Sequence, residues 1–156
     1  MAPEPDATAS SASTALKLWV VLARAYQAIE RHAATHAADY DLTSAEFGVL
    51  EALYHKGPLL LGEVQRKLLI SSAGITYVVD RLERKGFVER RPCPTDRRAR
   101  YAALTKDGSA LIERIFPEHE QRMEQALSGL TSPDQQQATD LLRELGQRAA
   151  ELATSS

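Results

Sequence analysis

The chain has 156 residues, of which 44% are hydrophobic and 26% are charged, and these values are ordinary for one globular domain with its own core. Its single cysteine excludes an intrachain disulfide framework, and no apolar run approaches the length that crosses a bilayer. No basic segment followed by an apolar one marks a secretory signal. We therefore expect one cytoplasmic domain that has no membrane partner.

The net charge of −2 is distributed unevenly along the chain. Residues 81–100 hold eight Arg or Lys and three acids, a local charge of +5, so the remaining residues sum to −7. An acidic body with one basic segment favours nucleic-acid binding at one surface. A solvated face is the ordinary explanation of such a run. Here, however, arginines flank a turn bounded by prolines, where an anionic partner would relieve their repulsion: Arg90, Arg91, Arg97 and Arg98.

Residues 1–13 are small and polar and contain proline, and we expect them to be disordered. From Thr14 to about His36 the pattern predicts a helix that is apolar on two sides. The two stripes are Leu16, Trp19, Val20, Ala23 and Tyr26, and Leu18, Val21, Leu22, Ala25 and Ile29. Such a helix needs cover on both sides, so we expect a second copy of the chain to supply part of it.

The next segment predicts two short helices. Thr43 and Glu46 have the spacing of a capping box, which begins a helix that Gly57-Pro58 should end. A short strand at residues 59–61 and a third helix at about residues 62–69 follow, and Ser71 is the predicted N-cap of a fourth helix. Two short helices separated by a few residues predict a helix-turn-helix, whose second helix enters the major groove of DNA.

The fourth helix is predicted to bury one face and expose a polar one. The buried face is Ile75, Val78, Val79 and Leu82, and the polar face is Ser72, Thr76, Tyr77, Asp80, Arg81 and Arg84. Gly86 should end this helix in a left-handed cap. A strand beginning at residues 87–88 and a returning strand at residues 100–104 flank a turn rich in proline and arginine. A helix followed by an arginine-tipped hairpin predicts a winged helix-turn-helix.

Two further helices are predicted after the hairpin. Thr105 should cap the first, and Pro117 should kink it. Ser132 should cap the second, with Pro133 at its first position and Gln135 reaching back. Their apolar surfaces exceed what one short bundle needs. The predicted class is therefore mainly α (α+β), a single domain at residues 14–152, in which residues 42–105 bind DNA and residues 14–38 and 106–152 form a helical dimerisation region.

The residues of the hairpin match a known family. Asp96-Arg97-Arg98-Ala99, followed by Leu104-Thr105, resembles the wing signature of the MarR family, and residues 79–88 resemble the end of its recognition helix. Gly108 stands where many members have glycine. The stretches ALKLWVVLARAY, YVVDRLERKGFVERRPCPTDRR and ERIFPEH resemble the branch that contains MhqR, whose members respond to quinones and phenolic compounds.

This resemblance implies a homodimeric transcriptional regulator, commonly a repressor released by a small ligand, that binds a palindrome in double-stranded DNA. It implies that Arg98 enters the minor groove and that Asp96 holds this arginine by a charge-assisted bond. For Tyr77, packing against the neighbouring helix is an equal alternative to DNA contact. The candidate DNA-binding residues are Ser71, Ser72, Thr76, Tyr77, Arg81, Arg84, Asp96, Arg97 and Arg98.

Other candidate sites are less specific. Cys93 lies among arginines, which favours a thiolate that senses oxidants or electrophiles, and the alternative is a turn residue without a role. Trp19, Tyr26 and His55 are candidates for lining an aromatic or phenolic ligand pocket, although such residues are more often core. We expect no metal and no other cofactor, since neither cysteines nor an HExxH motif accompanies the histidines of the first helix. No enzyme motif is present, so the remaining alternative is a winged helix that contacts only proteins.

Overall fold

The computed structural model describes residues 7–68 and 72–155 and contains six helices and three strands within them. The elements in chain order are α1 (Ala7–Ala38), α2 (Ser44–Lys56), β1 (Leu59–Leu60), α3 (Leu61–Leu68), α4 (Ser72–Arg84), β2 (Val88–Pro92), β3 (Arg100–Leu104), α5 (Lys106–Ala126) and α6 (Ser132–Thr154). Every helix in these two ranges is too short or too polar to cross a lipid bilayer.

Helix α1 begins at Ala7, so the prediction that disorder extends to residue 13 was wrong for residues 7–13. Composition suggested disorder because these residues are small and polar. Alanine, however, has the highest helix propensity, and the segment after Pro5 lacks a further helix breaker. It therefore continues the apolar helix that follows it. Residues 1–6 lie outside the described residues.

The start of α2 confirms the predicted capping box. Thr43 Oγ1 accepts a hydrogen bond from the Glu46 backbone amide at 3.1 Å, and Glu46 Oε2 accepts one from the Thr43 amide at 3.0 Å. These two bonds satisfy two of the backbone donors that every helix leaves unpaired at its start. Helix α2 then supplies Phe47, Leu50 and Leu53 to the core, and it ends at Lys56 before the predicted Gly57-Pro58 stop.

One core joins the first five helices, α1 to α5, and the sheet. Its most completely buried apolar side chains come from α2, α3, α4 and α5, and they are Val49, Leu50, Leu53, Val64, Val79, Leu82, Ile112 and Ile115. The sheet is antiparallel with the strand order β1-β3-β2. Ala102 of β3 is fully buried and pairs with Leu59 on one side and Arg90 on the other. The hairpin β2–β3 is therefore anchored at its root and free at its tip.

The root of this hairpin is fixed to the start of α5. Gly86 follows α4 with a φ of 81°, as its predicted left-handed cap requires. Thr105, the confirmed N-cap of α5, accepts a hydrogen bond from the Gly108 amide at 3.0 Å and donates one to the Gly86 carbonyl at 2.6 Å. The Thr105 amide also donates to the Phe87 carbonyl at 3.1 Å. These bonds set the angle at which the hairpin leaves the domain.

The last two helices follow the hairpin as predicted, and the start of the second differs in detail. Helix α5 runs through Pro117 without a break. Helix α6 is capped by Thr131 rather than by the predicted Ser132, because Thr131 Oγ1 accepts the Asp134 amide bond at 3.4 Å and Pro133 occupies the second helical position. Gln135 does reach back, but its amide donates to the carbonyls of Leu127 and Leu130 at 3.1 Å, across the turn between the helices.

Candidate nucleic-acid interface

Helix α4 exposes the polar face that the sequence predicted. Its apolar face is buried as expected, and the members of that face are Ile75, Val78, Val79 and Leu82. On the other side Thr76, Tyr77 and Arg84 are exposed, and Arg81 is half-buried. Tyr77 keeps 59% of its surface exposed, so it does not pack into the core. Ser71 lies outside the described residues, as does the side chain of Ser72.

The guanidinium of Arg81 is held on both sides. Its Nε donates to Glu46 Oε1 at 2.6 Å, and its Nη1 lies 3.4 Å from the Tyr77 hydroxyl. The carbon atom of the guanidinium also lies 5.8 Å from the centre of the Tyr77 ring, a distance at which cation–π attraction operates. The hydrogen bonds to Glu46 and Tyr77 raise the pKa of Arg81 above its already high ordinary value. Arg81 is therefore a fixed cation on the exposed side of α4.

Two of the four arginines that flank the turn are neutralised within the chain. Arg90 pairs with Glu83 and, at 2.8 Å, with Asp80, so it ties β2 to α4. Arg91 pairs with Glu89 at 2.7 Å on the same strand. The expectation that an anionic partner relieves all four arginines is therefore wrong for Arg90 and Arg91. The carboxylates that pair with these two arginines lie on α4 and β2. Counting charges along the sequence does not show which of them form pairs.

The tip of the hairpin exposes the other two arginines. Within residues 7–68 and 72–155, no carboxylate pairs with the side chains of Arg97 and Arg98, and both residues are exposed. Asp96 Oδ1 accepts a hydrogen bond from the Arg98 backbone amide at 2.9 Å, instead of the predicted bond from its guanidinium. The carboxylate therefore shapes the turn, and Arg100 Nη1 reinforces the turn by donating to the Arg97 carbonyl at 3.0 Å. This arrangement leaves both guanidinium groups at the tip available to phosphates or a groove.

Cys93 is half-buried at the start of the turn. Its Sγ lies 3.3 Å from Thr95 Oγ1, and hydrogen bonding from Thr95 lowers the pKa of the thiol despite the opposing effect of burial. The direction agrees with the prediction of a favoured thiolate. The cause is different, because hydrogen bonds rather than neighbouring arginines stabilise the thiolate.

The three residues predicted to line a ligand pocket lie in different environments. Trp19 and Tyr26 are 66% and 67% exposed on α1, whereas His55 stacks edge-on against Phe116, with ring centres 4.8 Å apart. Trp19 lines an open groove of about 350 Å³ between α1 and α6. The other lining residues of this groove are Ala15, Leu18, Leu22, Leu142, Leu145, Gly146 and Ala149. The structure therefore does not support one pocket formed by Trp19, Tyr26 and His55.

The sequence did not indicate a buried aromatic and histidine cluster between α1, α2 and α5. His36 is fully buried, and its Nε2 lies 3.4 Å from Glu118 Oε2, which also accepts a 2.7 Å bond from the Tyr40 hydroxyl. His119 lies beside Phe47, with ring centres 4.4 Å apart. His36 is one of the histidines of the first helix, and it belongs to this cluster. The described residues contain no cluster of side chains suited to a metal. The sequence offered one signal for this cluster, which was the position of His36 in line with an apolar stripe of α1.

Comparison with known proteins identifies the family. The model of the MarR family matches residues 40–99, which include the helix-turn-helix and the hairpin tip. The HTH-type transcriptional regulator MhqR of Bacillus subtilis is 41% identical over 134 residues, which cover 86% of this chain and 92% of MhqR. The chain belongs to the MarR family.

Solved MarR-family structures confirm the winged helix. The structure of Bordetella bronchiseptica BpsR, described as showing regulation of DNA binding by 6-hydroxynicotinic acid, has a TM-score of 0.73 and 32% identity. The match covers 81% of this chain and 90% of the BpsR chain. A mutant E. coli MarR in complex with operator DNA has a TM-score of 0.77 and 25% identity, with coverage of 85% and 95%. This MarR-family chain is therefore a DNA-binding transcriptional regulator rather than an enzyme.

Proposed function

We propose that this regulator binds a palindromic operator as a homodimer, with α4 of each subunit in the major groove and the hairpin tip in the adjacent minor groove. The observation that carries the proposal is the pair of exposed arginines at the tip, Arg97 and Arg98, which lack carboxylate partners among the described residues. Tyr77 and Arg81, fixed together on the exposed side of α4, supply donors and an aromatic surface for the major groove. Because its partner is chromosomal DNA, we place the protein in the cytoplasm.

The apolar surface of the outer helices supports dimerisation. No residue of α6 is buried, and yet its exposed residues include four leucines: Leu141, Leu142, Leu145 and Leu152. On α1 Leu16 and Trp19 are 67% and 66% exposed. An apolar surface of this kind is a protein contact site in most soluble proteins. A second copy that packs its own α1 and α6 here would cover both helices and give the complex the two-fold symmetry of a palindrome.

A small aromatic or phenolic ligand is the proposed signal, and loss of operator binding is the proposed response. The support comes from the similarity to BpsR, whose DNA binding is described as regulated by an aromatic acid, and from the resemblance to the MhqR branch. A ligand can release the operator only to the extent that it binds better when the two α4 helices are wrongly spaced. Operator occupancy would then repress, and ligand binding would relieve repression.

The test is a binding titration on the duplex that lies upstream of the protein's own gene, repeated across a salt series. We expect the logarithm of the association constant to fall linearly with the logarithm of salt concentration, and we expect two chains per duplex. Arg98→Ala should weaken binding and reduce the salt slope by about one for each arginine lost from a phosphate contact.

Arg143→Ala is the matched control, because Arg143 pairs with Asp140 on α6, outside the winged region and on the side of the helix opposite its exposed leucines. It should leave the slope unchanged. Binding that does not depend on salt would overturn the proposal and favour a winged helix that contacts only proteins. A complex with a single chain would overturn the proposed dimer.

A further inference from the structure

Glu46 makes contacts that a helix cap alone does not need. Its side chain is 1% exposed, and it lies at the start of α2. Besides the Thr43 amide, Oε2 accepts a bond from Lys85 Nζ at 2.9 Å, and Oε1 accepts one from Arg81 Nε at 2.6 Å. One buried carboxylate therefore joins the start of α2 to the last turns of α4.

The charge of this carboxylate is stabilised by its partners. Burial raises the pKa of Glu46, but the bonds from Arg81, the Thr43 backbone and Lys85 outweigh burial, and the net shift is downward. Glu46 is therefore ionised wherever the protein is folded near neutral pH. A buried ion that lost these partners would be strongly unfavourable, so the contacts hold Arg81 of α4 and Lys85, the residue that follows α4, in place.

The direction of the contact decides what Arg81 can still bind. An arginine has five N–H donors, and Glu46 engages the one on Nε. The terminal nitrogens remain on the exposed side of α4, where Nη1 meets the Tyr77 hydroxyl. A guanidinium fixed in this way presents a planar fork at a set angle, which is the geometry that bidentate recognition of a base edge or phosphate requires.

We infer that Glu46 is a positioning residue for DNA reading: it acts through Arg81 and sets the sequence discrimination of α4 without touching DNA. This inference rests on the proposed function, in which α4 enters the major groove. The Lys85 arm strengthens the same clamp, because Lys85 Nζ also contacts the Asp41 carbonyl in the loop between α1 and α2. The reading face of α4 is thus fixed relative to the end of α1.

The consequence differs from that of a simple change in charge. Glu46→Gln keeps an amide oxygen that can accept the Thr43 bond, but it removes one negative charge near the DNA-binding surface. Electrostatics alone would then strengthen binding to every duplex. If Glu46 positions Arg81, binding to the preferred sequence falls relative to binding to other sequences, because the freed guanidinium no longer favours one base pattern.

The experiment measures discrimination, defined as the ratio of affinities for two duplexes of equal length at one salt concentration. One duplex is selected from a random pool by the wild-type protein, and the other is its scrambled sequence. We expect Glu46→Gln to lower the ratio about tenfold, the range of one good base contact. Arg81→Ala should lower it similarly, and the double variant should show no further loss, because both changes remove the same interaction.

Two controls separate positioning from folding and charge. Thr43→Ala removes the other half of the capping box, so it destabilises α2 while leaving the Glu46–Arg81 pair in place. Glu51→Gln removes from the same helix one carboxylate with which, among the described residues, neither Arg81 nor Lys85 is paired. Both should keep the wild-type ratio. Glu46→Asp serves as a second variant if Glu46→Gln does not fold, since it keeps the charge but shortens the reach to Arg81, and it should also lower the ratio.

The possible failures are distinguishable. A wild-type protein that does not discriminate between duplexes overturns the proposed function, and the inference falls with it. A wild-type protein that discriminates, together with a folded Glu46→Gln variant that keeps the ratio, overturns the inference alone. The inference is also overturned if Thr43→Ala reproduces the loss, or if the losses from Glu46→Gln and Arg81→Ala add in the double variant.

Discussion

Replacing Gly108 with alanine should test how tightly the hairpin is joined to α5. A Cβ atom at this position would lie 1.9 Å from the Phe87 carbonyl oxygen, whereas ordinary contacts begin at 3.4 Å. The carbonyl would have to retreat by about 1.5 Å, the difference between these two distances. The same oxygen accepts the bond from the Thr105 amide, so the retreat would break a contact between the hairpin root and the cap of α5.

The magnitude follows from three contributions. Forced overpacking costs about 1–3 kcal/mol, and the lost hydrogen bond costs about 1 kcal/mol. Alanine returns about 0.5–1 kcal/mol relative to glycine inside a helix. We therefore expect Gly108→Ala to lower the free energy of unfolding by about 2 kcal/mol, which corresponds to a fall in Tm of about 4–8 °C for a chain of this length.

Thermal unfolding followed by circular dichroism measures this change, with all proteins at one concentration because the proposed dimerisation would make Tm depend on concentration. Gly62→Ala is the matched control: it places the same methyl group in α3, where nothing lies within 4 Å, and it should leave Tm equal or slightly higher. A Gly108→Ala protein that melts with the wild type would refute the close approach of Phe87. An equal fall in both variants would mean that alanine acts through something other than this contact.

Two other predictions follow from the pKa shifts. Burial, assisted by the charge of His36, lowers the pKa of His119. The unfolded chain therefore binds more protons below about pH 6.5, and the free energy of unfolding should decrease as the pH is lowered through this range. His119→Phe should flatten this part of a Tm-against-pH curve, and an unchanged slope would contradict the assignment. Alkylation of Cys93 should show a pH midpoint below the ordinary thiol value of about 8.5. Thr95→Val should raise that midpoint, and a midpoint unaffected by this change would exclude Thr95 as the cause.

Local signals predicted the fold well. The capping box of Thr43 and Glu46, the cap of Thr105 and the left-handed Gly86 all depend on residues within about one helical turn, so the sequence contains everything that determines them. The same reasoning was off by one residue at α6. There Thr131 and Ser132 both carry a hydroxyl, and proline is acceptable at either of the first two helical positions.

Contacts between distant segments were not predictable in this way. Glu46 and Arg81 are 35 positions apart, and each had a sufficient local explanation, one as a cap and the other as a member of an exposed face. Trp19 and Tyr26 had the composition of a ligand pocket, but which helix covers an apolar stripe depends on packing and, in a dimer, on a second chain. A periodic pattern shows which side of a helix is apolar and does not show what covers it.

The observed pairing also explains how an acidic chain can present a basic surface. Protein carboxylates bind Arg81, Lys85, Arg90 and Arg91. As far as the described part of the chain shows, the unpaired positive charge of residues 81–100 is therefore concentrated on Arg84, Arg97, Arg98 and Arg100. If all four neutralised phosphates in both subunits, this segment would contribute a salt slope of about −7, from roughly 0.9 for each of about eight contacts. The internally paired cations would contribute less to that slope, because protein carboxylates already balance their charge. In the proposed complex, the paired cations would therefore orient the interface, and the hairpin tip would supply most of its charge.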